Sequence, residues 1–530
     1  MKTRYKQSNA RLPGSILLVL TMLFSSCQQE AQRSPNIVII LADDLGYGDI
    51  SSYNPKSKIQ TPAIDDLARQ GVMFTDAHTN SSVCTPTRYG LLTGRYSWRT
   101  RLKESVLYGY DKALIPADRL TIAGLLQQQG YETAAIGKWH LGWKWANVDA
   151  GKDSIDYAQP ITNGPTTAGF DYFYGIIGSL SMPPYVWVEN DLPTMVPTRR
   201  TSSQKKQSIW LEGEIAEDFV HEEVLPEIQK EAVEYIHAHA NKDKPFFLYL
   251  PLTSPHNPIL PSPEYQGKSG LDNPYPDFVM MTDGVVAAVA NALKEQGVFD
   301  NTILVFLSDN GCSNQADFEQ LASKDHFPSY IYRGFKSDLY EGGHRVPFVV
   351  TWPDKLEPAK TDALVSTTDF LATFADLFST SFPDNAGEDS YSFVSALGLP
   401  SEAPRRESIV MHSYDGSFAY RNGNYKALFT PGSGGWSFPR SGSDDVVGMP
   451  EVQLYDLKAD PSEKSNIQSE NPQLVDQLSK ELTEIVRNGR SIPGLPQKND
   501  GPENWKQLTW MNKENELPST TGTGRENKVQ

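Results

Sequence analysis

Four polar clusters in this chain each follow closely on an apolar run. Asp43 and Asp44 come after IVIIL (37–41), and Asp309 and Asn310 come after ILVFL (303–307). Lys138, Trp139 and His140 come after ETAAIG (132–137), and His256 lies a few residues beyond FFLYL (246–250). Three carboxylates and one amide offer hard oxygen donors, and no zinc-spaced His or Cys accompanies them. That chemistry suits calcium, or magnesium, rather than a transition metal. Either pair alone reads as a turn or helix cap; the matching position of the two favours a shared cation. A fifth cluster is CTPTRYGLLTGR (84–95). Pro86 suits the first turn of a helix. Cys84 then stands at that helix's N-terminus, where backbone N–H groups and the dipole favour an anion. This is a place for a nucleophile beside an oxyanion site, with the Arg88 guanidinium one turn on. A lone cysteine is otherwise more often a buried filler.

The elements that must carry these groups follow from the pattern. The runs 37–41, 246–250 and 303–307 read as strands buried on both faces, and 132–136 and 346–351 as two more. Helices are predicted over 61–71, 120–129 and 283–296. Strands alternating with helices give an α/β fold: a large mixed, mostly parallel sheet sandwiched by helices. Such sheets place their sites beyond the carboxyl ends of the strands, so the four clusters converge on one rim. From about residue 400 the texture changes to short strands at 408–411, 418–421, 425–429 and 452–455 and a helix over 473–486. These predict a smaller C-terminal antiparallel sheet plus helix. The expected division is 35–400 for the catalytic domain, 401–500 for the subdomain and 501–530 for a polar tail.

The chain has 530 residues and a net charge of −17, which argues against a nucleic-acid partner and repels anions at long range. Any anion site must therefore rest on local positive charge. Lys2, Arg4, Lys6 and Arg11 precede the short apolar stretch ILLVLTMLF (16–24), which reads as an export signal rather than a membrane-spanning helix. The signal ends in SSC, and Cys27 resembles the lipidated cysteine of bacterial lipoproteins. The reading is residues 1–27 as lipoprotein signal, 28–34 as tether, and an exported lipoprotein, periplasmic or at the cell surface, that meets the membrane only through an N-terminal lipid. Of the three cysteines, that leaves Cys312 without a partner and no disulfide.

CTPTRYGLLTGR resembles the signature of the formylglycine-dependent type I sulfatases, of the alkaline-phosphatase-like superfamily. LADDLGYGD, GKWHLG, SPHNP, LSDNG, GFKSDLYEGGHRVP and LYDLKADPSEKSNI resemble that family's other motifs in order, over about residues 36–490. The resemblance implies a sulfuric ester hydrolase. Cys84 would be converted by a dedicated maturation enzyme to formylglycine (3-oxoalanine). Asp43, Asp44, Asp309, Asn310 and the modified Cys84 would hold one calcium ion. Arg88 would orient the formylglycine, Lys138 and Lys336 would bind sulfate oxygens, His140 would stand beside the formylglycine hydroxyl, and His256 would face the leaving oxygen. Ser179 falls where some members have a further sulfate-site residue.

The expected partner is a sulfated glycan. His412 and Trp436, in loops of the subdomain, are candidates for the sugar subsites, as is Trp143. Two alternatives stand beside this reading. One is a phosphoesterase of the same superfamily, which would want a Ser or Thr nucleophile and more histidine ligands. The other is a catalytically silent glycan-binding protein, which would have no use for a nucleophile and two histidines.

Overall fold

The computed structural model describes residues 1–8 and 33–512. Cys27 and the apolar stretch 16–24 lie outside them. Met1–Ser34 is a separate unit from Pro35–Gln530, and the elements below belong to the second unit. Among the described residues no helix is long and apolar enough to cross a membrane.

The frame is a ten-stranded sheet. In chain order its first strands are β1 (Asn36–Asp43), β2 (Val72–Phe74), β3 (Glu132–Lys138), β4 (Tyr172–Ile176), β5 (Val188–Glu189) and β6 (Leu192–Pro193). Two strands, β7 (Arg199–Lys205) and β8 (Ser208–Ile215), pair with each other as a separate ribbon. The sheet then takes up β9 (Phe246–Pro255), β10 (Thr302–Ser308), β11 (Phe348–Thr351) and β12 (Ala359–Thr361). Strand order is β12-β2-β11-β10-β1-β9-β3-β4-β5-β6. The three apolar runs thus occupy the adjacent central strands β10, β1 and β9. Ile39 pairs in parallel with Tyr249 on one side and Val305 on the other. β3 and β4 continue the parallel set, and β11 enters antiparallel, which makes the sheet mixed.

Helices α1 (Pro62–Gln70) and α4 (Val224–His239) both pack on α5 (Pro274–Glu295), and α2 (Cys84–Thr93), α3 (Ile122–Gln128) and α6 (Phe370–Leu377) form a second group. α5 begins nine residues before its predicted start. The Asn273 side chain caps Tyr275 N (2.9 Å), and the prolines of PYPDF sit in the first turn, where no helical N–H bond is needed. The strand expected from residue 346 starts at Phe348, because Pro347 has no N–H to give the ladder.

The C-terminal sheet orders β13 (Ser408–His412), β14 (Phe418–Asn422), β15 (Tyr425–Leu428) and β16 (Gln453–Asp456) antiparallel. Alternation gives it two apolar faces. Val410, Phe418, Tyr420, Ala427 and Leu454 pack with Leu478, Leu482 and Val486 of α7 (Pro472–Arg487) and with Tyr96 and Trp98. Leu508 and Met511, beyond residue 501, belong to this same cluster. Ile409, Met411, Ala419, Leu428 and Tyr455 pack instead on Leu339 and Tyr340, three and four residues past Lys336.

A buried charge cluster ties the same surfaces together. Lys426 Nζ on β15 donates to Glu341 Oε1 (2.9 Å) and Glu463 Oε1 (2.8 Å), and all three side chains have no exposed surface. Glu341 N donates to Glu463 Oε2 (2.6 Å). Arg421 on β14 grips Asp76 through both terminal nitrogens (2.9 and 2.7 Å). Removing one member of a buried pair leaves the others charged and unpartnered. Lys426→Met, similar in length, is expected to destabilise the protein by about 3 kcal/mol, read as a lower midpoint of urea unfolding. Lys480→Met, in an exposed pair, is expected to change it by less than about 1 kcal/mol.

Candidate active site

The carboxyl ends of β1, β3, β9 and β10 bring the four clusters together. β1 ends on Asp43, and the chain turns at Asp44 with φ 66°, a left-handed conformation that costs a non-glycine residue energy. β3 ends on Lys138, β9 leads into His256, and β10 leads into Asp309 and Asn310. α2 starts at Cys84 with Pro86 in its first turn, and all ten of its residues are buried.

Opposite charges interlock here in direct contact. Lys138 Nζ lies 2.6 Å from Asp43 Oδ2. Lys336 Nζ lies 2.6 and 2.8 Å from the two oxygens of Asp44. Arg88 donates to Asp309 Oδ2 from Nε (3.0 Å) and Nη2 (2.7 Å), and to Lys138 O from Nη1 (2.8 Å). Cys84 Sγ is 3.5 Å from both Asp43 Oδ1 and Lys336 Nζ. Burial raises the Cys84 thiol far above its ordinary value, and Asp309 adds to this against Lys138 and Lys336. An unmodified Cys84 is therefore a thiol rather than a thiolate. Burial alone would raise Asp43, but Lys138, His256, Arg88 and Lys336 prevail and hold it well below the usual carboxylate range.

The two histidines flank this cluster. His140, at φ 55°, donates from Nε2 to Leu107 O (2.8 Å), and its Nδ1 is buried without a partner. Burial and then Lys138 hold it well below the normal imidazole range, so it is neutral, with Nδ1 free to accept a proton. His256 Nε2 lies 3.6 Å from Asp44 Oδ2, and its Nδ1 donates to Asn257 O. Burial and then Lys336 push His256 down to about 3.

Asp43, Asp44, Cys84 and His256 offer one ligand atom each within 4.8 Å of one another. Asn310 Nδ2 donates to Asp44 Oδ1 (2.7 Å), while its Oδ1 is buried and unpartnered. Asp309 Oδ1 accepts Asp44 N (3.2 Å). Oxygens crowded by charge, with one amide oxygen lacking any partner, fit a hard divalent cation. Three carboxylates against Arg88, Lys138 and Lys336 make a neutral set, so a divalent ion leaves the pocket positive by two charges. That local field answers the acidity of the whole chain.

Ser179 lies two residues past the segment that meets His140: His140 N donates to Ile177 O (2.7 Å), and Ser179 Oγ is buried without a partner. Trp436 is half-buried, with its N–H on Ser337 Oγ (3.0 Å) and Asp338 Oδ1 (2.9 Å) and its ring 5.4 Å from Tyr414. It is therefore tied to the residues after Lys336. His412 is not at a rim: it is 1% exposed, bonded through Nε2 to Lys103 O (3.0 Å), with its ring against Phe418. Trp143 is likewise interior, edge-on to Trp145 and Phe173. Their flanking polar residues give no sign of which side chain turns inward.

Sequence reasoning missed the support behind the loop that follows β1. Asp49 accepts Gly46 N (2.8 Å), Tyr275 OH (2.5 Å) and His326 Nε2 (2.8 Å), and Lys58 N donates to His326 Nδ1 (3.3 Å). This pins the turn that carries Asp43 and Asp44. It also missed Asn257, whose role is taken up below.

A pocket of this charge suits the ester of a strong oxyacid. The sulfatase family model matches residues 35–380, and the chain belongs to that family. It is 35% identical to an N-acetylgalactosamine-6-O-sulfatase of Bacteroides thetaiotaomicron over 526 residues, covering 90% of this chain and 98% of that one. It is 31% identical to human arylsulfatase A, covering 86% of each. A solved 6S-sulfatase structure, from work on the metabolism of multiple glycosaminoglycans by B. thetaiotaomicron, matches with a TM-score of 0.75 at 33% identity, over 86% of this chain and 99% of that one. The structure of Ps i-CgsB in complex with k-i-k-neocarrahexaose matches with a TM-score of 0.65 at 25% identity, over 88% and 95%. The protein is accordingly a hydrolase of sulfate esters.

A ligand that binds only the folded state stabilises it by mass action, about 2.7 kcal/mol at a hundredfold excess over Kd. Calcium is expected to raise the melting temperature of the chelator-treated protein, and Asp44→Asn to abolish that rise. An undiminished rise in Asp44→Asn would mean that the ion sits elsewhere.

Proposed function

We propose that this sulfatase removes sulfate from a sulfated glycan, using formylglycine made from Cys84 and one calcium ion, with magnesium as the substitute. The observation that carries the reading is the buried cluster of Asp43, Asp44, Cys84, Arg88, Lys138, His256, Asp309, Asn310 and Lys336 beyond the carboxyl ends of the central strands. The names of the relatives support the substrate class, and N-acetylgalactosamine 6-sulfate in a glycosaminoglycan is the first candidate.

Asp43, Asp44, Asp309 and Asn310 would hold the cation, which supplies positive charge against the sulfate and the nucleophile. Formylglycine, as its hydrate, supplies one hydroxyl to attack sulfur and a second that lets the carbonyl form again. Lys138 and Lys336 hold the sulfate oxygens, and Arg88 keeps Asp309 and the β3 end in place. His140, neutral with Nδ1 unpartnered, takes the proton of the hydroxyl beside it. His256 meets the oxygen that leaves. The negative charge brought in by the ester counters Lys336 and favours a proton on His256 Nε2. When the sulfur–oxygen bond breaks, its electron pair stays on the alcohol oxygen, which takes that proton. Ser179 adds a buried hydroxyl from the segment after β4, and Trp436 is the sugar-stacking candidate that remains once His412 and Trp143 are interior.

The division into a catalytic domain over 35–400 and a subdomain over 401–500 belongs to this proposal. So do export, a lipid on Cys27, and a separate maturation enzyme for Cys84.

The deciding test is protein coexpressed with a formylglycine-generating enzyme. The tryptic peptide containing Cys84 is expected to lose the mass difference between a thiol and a free aldehyde. Sulfate release from N-acetylgalactosamine 6-sulfate and related glycan sulfates is expected to fall at least about a thousandfold in Cys84→Ala. An unmodified peptide together with full activity would sink the formylglycine reading.

A further inference from the structure

The β7–β8 ribbon lies outside the main sheet, and a two-stranded ribbon is marginal by itself. It is held by its neighbours instead. At the two-residue turn between its strands, Gln207 sits at φ 61°, a strained conformation for that residue. Ile259 N donates to Gln207 O (2.7 Å), and the Gln207 side chain donates to Asn273 Oδ1 (3.2 Å) and Gln315 O (3.3 Å). Lys206 Nζ meets Asp317 Oδ2 at 2.6 Å. Further along β8, Leu211 N donates to Ser181 O (3.0 Å), and Tyr185 OH donates to Leu211 O (2.7 Å). The ribbon therefore spans from the segment after β4, which carries Ser179, to the segment after β9, which carries His256.

Its contact with the second segment is unusual in form. Ile209 N donates to Asn257 Oδ1 (3.2 Å), and Asn257 Nδ2 donates to Ile209 O (2.8 Å). The side-chain amide thus takes the place of a neighbouring strand and satisfies both backbone groups of Ile209. Asn257 is 4% exposed. Its own carbonyl accepts the Nδ1–H of His256. One residue therefore joins the ribbon to the imidazole and fixes its tautomer. With Nδ1 committed, Nε2 is the ring atom turned to the pocket, 3.6 Å from Asp44 Oδ2.

We propose that Asn257 is a positioning residue: clamped by Ile209 of the ribbon, it keeps His256 Nε2 aimed at the departing oxygen, and so sets how well the enzyme cleaves esters of strongly basic alcohols such as sugars. This rests on the reading above that His256 protonates that oxygen. Esters of acidic phenols leave without help, so their cleavage is insensitive to the aim of the ring. A sugar alkoxide cannot leave unprotonated.

The experiment uses matured, calcium-loaded protein and three substrates: 4-nitrophenyl sulfate, phenyl sulfate and N-acetylgalactosamine 6-sulfate. The variants are His256→Ala, Asn257→Ala and Ile209→Pro, the last removing the ribbon's N–H while leaving Asn257 intact. For Asn257→Ala, kcat is expected to fall about a hundredfold on the sugar sulfate, less on phenyl sulfate and within about threefold on 4-nitrophenyl sulfate, a fraction of the range general acid catalysis contributes. KM is expected to hold, since Lys138 and Lys336 grip the sulfate. Ile209→Pro is expected to follow the same order more weakly. Equal losses on all three substrates in Asn257→Ala, or no loss, beside a leaving-group-dependent loss in His256→Ala, would overturn the proposal alone. Equal losses on all three in His256→Ala would overturn the role given to His256, and this inference with it.

Discussion

Everything in this molecule that concerns the site depends on keeping six charges out of water at once. Arg88, Lys138, Asp44 and Asp309 have no exposed surface, Asp43 has 1% and Lys336 5%. Each such ion forfeits several kcal/mol of hydration, and only close, well-directed opposite charges return it. The geometry of the site is that requirement solved: Lys138 on Asp43, Lys336 on Asp44, and the Arg88 fork on Asp309. Parallel strands suit the purpose because their carboxyl ends deliver several side chains to one line. The start of α2 adds its backbone N–H groups to the same spot.

The periphery follows from that core demand. Lys336 comes from a loop rather than a strand end, and a loop holds a buried charge only if it is itself held. The C-terminal sheet does this by packing one face on Leu339 and Tyr340 and by inserting Lys426 against Glu341. Asp49, Tyr275 and His326 do it for the turn at Asp44, and Asn257 does it for His256. A network of this kind transmits little slack, which is what alignment of a nucleophile, an anion and a leaving group calls for.

Much of this was legible in the sequence, and the reason differs from residue to residue. The runs before Asp43, His256 and Asp309 are apolar without alternation, so they could be read as central strands and their ends as one rim. Pro86 placed Cys84 at a helix start. Asp49 was not legible, because its partners lie 226 and 277 residues away and no local period links them. β7, with the sequence RRTSSQK, has no apolar side to betray a strand, since its ribbon is anchored by backbone and amide groups. His412 shows the opposite failure. Its polar neighbours suggest a surface loop, whereas it closes a strand and turns inward.

The way β13 meets the loop before Cys84 has a consequence in time. Ser81 Oγ and Ser82 N both bond to His412 O, which stands 331 residues after Ser81, and Cys84 is left 2% exposed. The segment around Cys84 is thus sealed by chain that is made long after it. An enzyme that had to draw the backbone around Cys84 into its own active site would do so while the polypeptide is still open. Once β13 is in place, that backbone is bonded to the C-terminal sheet. A maturation step of that kind and the closing of β13 would then be events with a fixed order.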